Sequence, residues 1–393
     1  MMIRRTLALA VSLALGSSVM ASELRRVDNP IPGKYIVVLK EGAIRGPGAS
    51  GTAPGFATAV EHATVDLAAR FNLNVERVYR HALPGFATEA SPQSINHLLR
   101  DPRVDYVEED GMVFLDATQT NATWGLDRSD QRDLPLNGTY IYDWVGSAVR
   151  AYVIDSGILA SHTGFGGRVT GGATFINDGR GTSDCNGHGT HVAGTIGSAT
   201  WGVAKSVRLV PVRVFACTGG SANSVIVAGI DWVTANRVLP AVANMSLGGG
   251  ASSATDTATN NLINSGVTVV VAAGNSNVDA CTTSPARVAN AITVGSTTST
   301  DARSSFSNWG TCVKIFAPGS SITSAWYTSN TATNIISGTS MASPHVAGAA
   351  VLVLAADNAA TPATVRSRIY NKSTLNKVTN PGAGSANRLL YTR

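Results

Sequence analysis

VRAYVIDSG, residues 149–157, is a short run that is apolar from Ala151 to Ile154 and then stops at a carboxylate, a hydroxyl and a glycine. A strand wetted on one face would alternate apolar and polar residues. This run does not alternate, so it reads as a strand buried on both faces and ending in Asp155. The pattern recurs outward from it in VRLVPVRVF (207–215), AVANMSLG (241–248), VTVVVAAGN (267–275) and AITVGS (291–296). Helical stretches lie between, including SVIVAGIDWVTANRV (224–238) and TNNLINSG (259–266). Apolar strands alternating with helices predict an α/β fold, a parallel sheet flanked by helices. In such sheets chemistry gathers beyond the carboxyl ends of the strands.

Four features lie near those ends. Asp155 closes its strand, as a cap or as a working carboxylate. DCNGHGTHVAGTIGS (184–198) places His188 between glycines at a helix start, with His191 one turn on. Asn275 follows VTVVVAAG, either bonding its own turn or aiming an amide N–H at a developing oxyanion. GTSMASPHVAG (338–348) runs into VLVLAA, so Ser340 opens a helix too apolar to be anything but buried. Ser340 is either an N-cap or a nucleophile. The small residues around it suit close approach, which a cap does not require. Asp155, His188 and Ser340 together supply an orienting acid, a base and a nucleophile. A metal pair on His188 and His191 is the rival reading. It lacks its base, because position 189 is Gly and no glutamate occurs after residue 117.

Upstream, residues 34–110 read as strand, helix, strand, strand, helix, strand: KYIVVLK, PGFATAVEHATVDLAARFN, NVERVYR, GFATEA, SPQSINHLLRD and VDYVEED. That order is a small ferredoxin-like α+β domain. Residues 1–21 read as a secretory signal peptide, with Arg4 and Arg5 before an apolar run from Leu7 to Leu15 and small residues ahead of the cut. No later segment has eighteen uninterrupted apolar residues, so no membrane span is expected. Export makes disulfides expected among Cys185, Cys217, Cys281 and Cys312, and four cysteines allow three pairings. Residues 22–116 carry 10 Lys and Arg against 13 Asp and Glu, a net −3; residues 117–393 carry 18 against 12, a net +6. The cations are scattered, which argues against nucleic acid, and the opposite signs suit two parts that bind each other.

VIDSGI, NGHGTHVAGTIG, NMSLGG, VAAGN and GTSMASPHVAG, in this order, closely resemble the motifs of subtilisin-like serine peptidases. The opening ATQ…WGLDRSDQRDLPL, VRVFACTGG, SNWGTCVKIFAPG and the cysteine positions resemble the proteinase K subgroup and its aqualysin-like members. Residues 34–110 resemble the inhibitory propeptide of the same family. The resemblance implies a signal peptide over 1–21, a propeptide over 22–116 and a peptidase domain over 117–393, with cleavage near Asp116–Ala117 and the tail VFLD in the substrate groove. It implies a secreted, monomeric serine endopeptidase that acts on proteins and peptides and takes its own propeptide as chaperone and inhibitor. Asp155, His188 and Ser340 become the triad and Asn275 the oxyanion donor. Ser246, Leu247 and Gly248 with Ala272, Ala273 and Gly274 would wall an uncharged pocket for apolar or aromatic P1 side chains. Gly219, Gly220 and Ser221 would pair with substrate, Ser221 standing where the family has glycine and narrowing the P4 subsite.

The implied disulfides are Cys185–Cys217 and Cys281–Cys312. No cofactor is needed for catalysis. Structural calcium is implied at Asp127, Asp130, Gln131 and Asn137, and a further ion at Asp178 and Asp184. A third family site has Lys314 in place of its aspartate and is expected to be empty, the ammonium substituting for the ion. A catalytically dead binding protein with the same fold is the remaining alternative.

Overall fold

The structure is a computed structural model that describes residues 22–27, 30–44, 55–111 and 117–393. The signal-peptide reading of 1–21 and the tail at 113–116 lie outside the described residues. The chain divides into two compact units, at residues 114 and 115.

In the first unit, strands Pro30–Leu39, Asn74–Tyr79, Gly85–Glu89 and Val104–Gly111 alternate with helices Phe56–Phe71 and Pro92–Leu98 as the sequence predicts. Pro30–Leu39 lies between Val104–Gly111 and Gly85–Glu89, antiparallel to both, and Asn74–Tyr79 pairs outside Gly85–Glu89. This is the ferredoxin-like order. Ser91 caps the second helix, accepting from Ser94 N at 3.1 Å, with Pro92 in its first turn. A strand not anticipated from the sequence, Glu23–Arg25, adds to the edge in parallel with Val104–Gly111. Three residues with charges at both ends carry no periodicity to detect it by. Val37, Leu67, Phe86, Leu98 and Val107 form a separate core for this unit.

In the second unit a nine-stranded sheet runs in the order Thr374–Leu375, Arg388–Leu389, Ile315–Pro318, Ile292–Thr297, Thr268–Ala272, Ala241–Met245, Arg150–Asp155, Arg208–Arg213, Ala173–Thr174. Every pairing is parallel except the outermost, Thr374–Leu375 with Arg388–Leu389. Arg150–Asp155 lies inside this sheet, and its residues alternate between two cores. Ala151 and Val153 join the cluster of helices His188–Gly197 and Thr339–Ala356. Tyr152 and Ile154 join the cluster of Asn223–Asn236 and Ser253–Asn264. Both faces are covered, which is why the strand shows no polar alternation. Each fully buried Val or Ile contributes about 1.5–3 kcal/mol of burial. Trimming Ile154 to Ala would therefore cost about 2–5 kcal/mol.

Helix Thr339–Ala356 is, among the described residues, the one helix long and apolar enough to cross a bilayer by length and composition. It is the core helix of this unit instead: 78% of its length is buried, against Ile196, Val203 and the sheet.

Candidate active site

Asp155 is the last residue of its strand and 1% exposed. Arg213 ends the neighbouring strand in register with it. Loop 182–187 then delivers His188 to the first position of helix His188–Gly197. Two glycines make that delivery possible. Gly187 has φ +105°, and a Cβ on Gly189 would lie 2.2 Å from Gly157 O. The glycines thus let the helix start press against the strand end, rather than simply leaving the imidazole unobstructed. His188 Nδ1 is 2.8 and 3.0 Å from the two carboxylate oxygens of Asp155. Burial opposes the charged imidazole, but the charge and hydrogen bond of Asp155, with Asp184 behind it, hold the His188 pKa above the ordinary histidine value.

Ser340 is the second residue of its helix, not its cap. Gly338 precedes the helix and caps with no side chain. Ser340 Oγ donates to Ser246 O at 3.2 Å rather than to a helix carbonyl or to His188. Among the described residues Ser340 N–H meets no acceptor, so it remains a free donor at a positive helix end. Pro344 has no N–H to give to the carbonyl four residues back, which is that of Ser340. Ser246 Oγ donates to that carbonyl at 2.8 Å. Asn244 supports Ser246, its Nδ2 donating to Ser246 Oγ at 2.9 Å while its Oδ1 accepts from Ser343 Oγ at 2.7 Å.

Asn275 follows the strand Thr268–Ala272 and is exposed. Its Oδ1 accepts from Thr339 N at 2.8 Å and Thr339 Oγ1 at 2.9 Å. Thr339 Oγ1 in turn accepts from Gly274 N at 3.0 Å. With the oxygen held twice, the Asn275 Nδ2 has no hydrogen-bond partner among the described residues.

Asp155, Ser156, Asn186, His188, Phe215, Gly219, Ser246, Leu247, Gly248 and Ser340 line one cleft of about 300 Å³. Of the expected substrate-contacting residues, Gly219, Ser246, Leu247 and Gly248 border it. Gly220, Ser221, Ala272, Ala273 and Gly274 are not among its lining residues. Phe215 and Asn186 line it and were missed. Asn186 is fixed by the fold, its Oδ1 accepting from His188 N and its Nδ2 donating to Cys217 O, contacts that the sequence does not display.

The cysteines pair as Cys185–Cys217 and Cys281–Cys312. The first bridge joins the segment before His188 to the one before Gly219. Around it, Arg213 is fully buried and grips Asp178 through both nitrogens, at 2.7 and 2.6 Å. Arg213 thus occupies Asp178, and five donors occupy Asp184, the two residues at which a further ion was expected.

The calcium ligands inferred near residue 130 divide into two kinds. Asp130 Oδ1 and Gln131 Oε1 are buried with no hydrogen-bond partner among the described residues. Burial, with Asp127 nearby, pushes the Asp130 carboxyl up to about 6. Orphaned oxygens of this kind fit a hard cation. Asp127 is instead engaged by Asn137 N and Gly138 N, and Asn137 Oδ1 by Thr139. Lys314 Nζ donates to Thr311 O at 2.7 Å.

Residues 146–388 match the model of the subtilase family, and residues 34–116 match that of peptidase inhibitor I9. The chain is 56% identical over 368 residues to an extracellular serine proteinase of Thermus sp. (strain Rt41A), spanning 92% of this chain and 90% of that one. It is 50% identical over 371 residues to alkaline serine exoprotease A of Vibrio alginolyticus, spanning 93% and 68%. The crystal structure of a cold adapted subtilisin-like serine proteinase superposes with a TM-score of 0.68 at 54% identity, over 70% of this chain and 99% of the other. A parallel sheet with Asp155, His188 and Ser340 gathered at one cleft, and these matches across both units, have one reading: the chain belongs to the subtilase family of serine proteinases and carries a peptidase inhibitor I9 domain ahead of its peptidase domain.

Proposed function

We propose that the protein is a secreted serine endopeptidase that cuts peptide bonds through an acyl-enzyme on Ser340. The observation that carries this is the His188 imidazole, bonded through Nδ1 to buried Asp155 and sharing one cleft with Ser340. With Nδ1 occupied as donor, Nε2 is the basic nitrogen. Ser340 Oγ leaves Ser246 O and turns to Nε2; such bonds are often loose before substrate arrives. Oγ then attacks the substrate carbonyl as its proton passes to Nε2. The resulting oxyanion takes donors from Asn275 Nδ2 and Ser340 N–H. The C–N bond breaks, the amine leaves with the proton from Nε2, and an ester to Ser340 remains. Water, deprotonated by Nε2, hydrolyses that ester. Asp155 holds the tautomer and stabilises the imidazolium throughout.

Ser246, Leu247 and Gly248 carry no charge, which favours apolar or aromatic P1 side chains. Substrate pairs as an added strand with these residues and with Gly219, Gly220 and Ser221. Ala272, Ala273 and Gly274 follow at the end of the next strand, outside the lining of that cleft. No cofactor enters the chemistry. Asp130 and Gln131 would hold a structural Ca²⁺ and tie down the loop before Thr139–Tyr142. Residues 1–21 direct export, in keeping with the extracellular relatives. Residues 22–116 assist folding and inhibit until cleavage near Asp116–Ala117. The mature enzyme works as a monomer on protein substrates, without nucleic acid or membrane.

The test is intact mass after treatment with a fluorophosphonate, comparing wild type with Ser340→Ala. One adduct on a product of about residues 117–393, absent from the variant, is expected. An unlabelled mature wild type would instead favour a binding protein of the same fold.

A further inference from the structure

We infer that Asp184 is a positioning residue for the Asp155–His188 pair, holding the strand end that bears one and the helix start that bears the other in a single frame. The inference rests on the triad reading above.

Asp184 is 5% exposed and lies four residues before His188. Its Oδ1 accepts from Ser156 Oγ at 3.0 Å, Asn186 N at 2.9 Å and Gly187 N at 2.9 Å. Its Oδ2 accepts from Thr190 N at 2.9 Å and Thr190 Oγ1 at 2.6 Å. On one side this carboxylate replaces the missing cap of helix His188–Gly197, whose N-cap is Gly187. On the other it fixes Ser156, the residue after Asp155. Ser156 N donates to Asp155 Oδ1 at 2.7 Å, and Ser156 Oγ accepts from Gly189 N at 2.9 Å. Thr190 Oγ1 also accepts from Leu159 N at 3.0 Å, a second stitch between the two segments. His188 is thus flanked by residues bound to Asp184, and its acid partner is bonded to a residue that Asp184 orients. A cap alone would need only the N–H groups of the helix. The Ser156 hydroxyl extends the same carboxylate to the strand, and the Asp184 charge helps to hold the His188 pKa up.

The decisive comparison is Asp184→Asn against wild type in the full chain, assayed on a peptide anilide across pH. We expect kcat to fall about 10- to 100-fold, the scale seen when outer groups that orient metal-bound residues are removed. KM should stay within about threefold, and the acid limb of the pH profile should move to lower pH as a negative charge beside His188 is lost. A purely structural role would lower Tm and leave kcat and the acid limb in place, and that result overturns the inference. If Asp184→Asn yields no folded protein, Ser156→Ala removes only the bridging hydroxyl. A folded Ser156→Ala with wild-type kcat overturns the inference, whereas a reduced kcat at unchanged KM upholds it. Ser340→Ala is run beside both. Hydrolysis persisting there would defeat the triad reading itself, separately from the role of Asp184.

Discussion

Pro344 and Ser246 meet at one carbonyl: the proline withholds the helical donor that Ser340 O would have received, and the Ser246 hydroxyl supplies one at 2.8 Å. The wall of the cleft is thereby bonded to the backbone of the candidate nucleophile. A proline inside a helix is ordinarily a defect. Here the orphaned carbonyl becomes the point at which the helix is attached to the strand end carrying Asn244 and Ser246.

Ser246→Ala should therefore destabilise the fold by about 1–3 kcal/mol, the cost of a buried acceptor left unsatisfied. Pro344→Ala restores a backbone N–H to the same carbonyl. Denaturant melts of the two single variants and the double variant would measure the coupling. The penalty of Ser246→Ala should shrink in the Pro344→Ala background; an equal penalty in both backgrounds would disprove the link.

Asn275→Ala should lower kcat about 10²- to 10³-fold with little change in KM, the scale known from the asparagine of a subtilisin. Thr339→Val removes one of the two donors that hold Asn275 Oδ1 and keeps the other, the Thr339 backbone N–H. Its kcat should fall between wild type and Asn275→Ala. Steady-state kinetics on one peptide substrate checks both, and a wild-type kcat for Asn275→Ala would remove the amide from the mechanism.

pH acts on activity and stability through different histidines. His188 must be neutral to accept a proton, and its pKa is raised. Hydrolysis should accordingly increase as pH climbs through an apparent pKa above about 6.5. His191 and His345 are buried, and burial pushes each down to about 4. The unfolded chain binds protons at these sites below about pH 6.5, while the folded protein does not until about pH 4. Their contribution is complete above that window and declines within it, by up to about 1.4 kcal/mol per pH unit for each ring. Activity and Tm measured on one pH series would separate the two. An acid limb below pH 6, or a Tm independent of pH between 4 and 6.5, would contradict the assignment.

Chelation should lower Tm if Asp130 and Gln131 share a calcium ion, and added Ca²⁺ should restore it. Asp130→Asn should have a reduced Tm that no longer responds to Ca²⁺ or EDTA. A wild-type Tm indifferent to EDTA would dispose of the ion and leave Asp130 Oδ1 and Gln131 Oε1 as plain unsatisfied groups.

The strands around Asp155 were legible because residues buried on both faces leave apolar runs that a sequence displays directly. Asn275 stood out as a polar residue at the end of such a run, and His188 as an imidazole between glycines at a helix start. Ser340 was legible as a helix opener, but its place one residue past the start depends on backbone angles at Gly338, which composition does not encode. Asp184 was read only as a metal ligand, not as a frame for the helix start. Its donors come from Ser156, Asn186, Gly187 and Thr190, and only the folded loop brings backbone N–H groups onto a carboxylate. Asn244 gave a usable sign, a lone amide inside the strand AVANM that must find partners when buried. Lys314 was visible as a departure from pattern, whereas its bond to Thr311 O needed the turn itself.

The order of strands also sets a timetable. Arg150–Asp155 lies between Arg208–Arg213 and Ala241–Met245. On a ribosome it therefore waits for roughly 90 further residues before both its edges are paired, on the order of 5–18 s at ~5–20 residues per second. Through that interval a flat, apolar, unpaired strand is open to other chains, the condition that invites aggregation. The first unit's inner strand, Pro30–Leu39, waits about 70 residues for its second partner, Val104–Gly111, and that sheet has all its strands before Arg150–Asp155 has been synthesised. Parallel pairing between distant segments also folds slowly. A newly made chain thus holds every strand of its first sheet while its larger sheet is still incomplete.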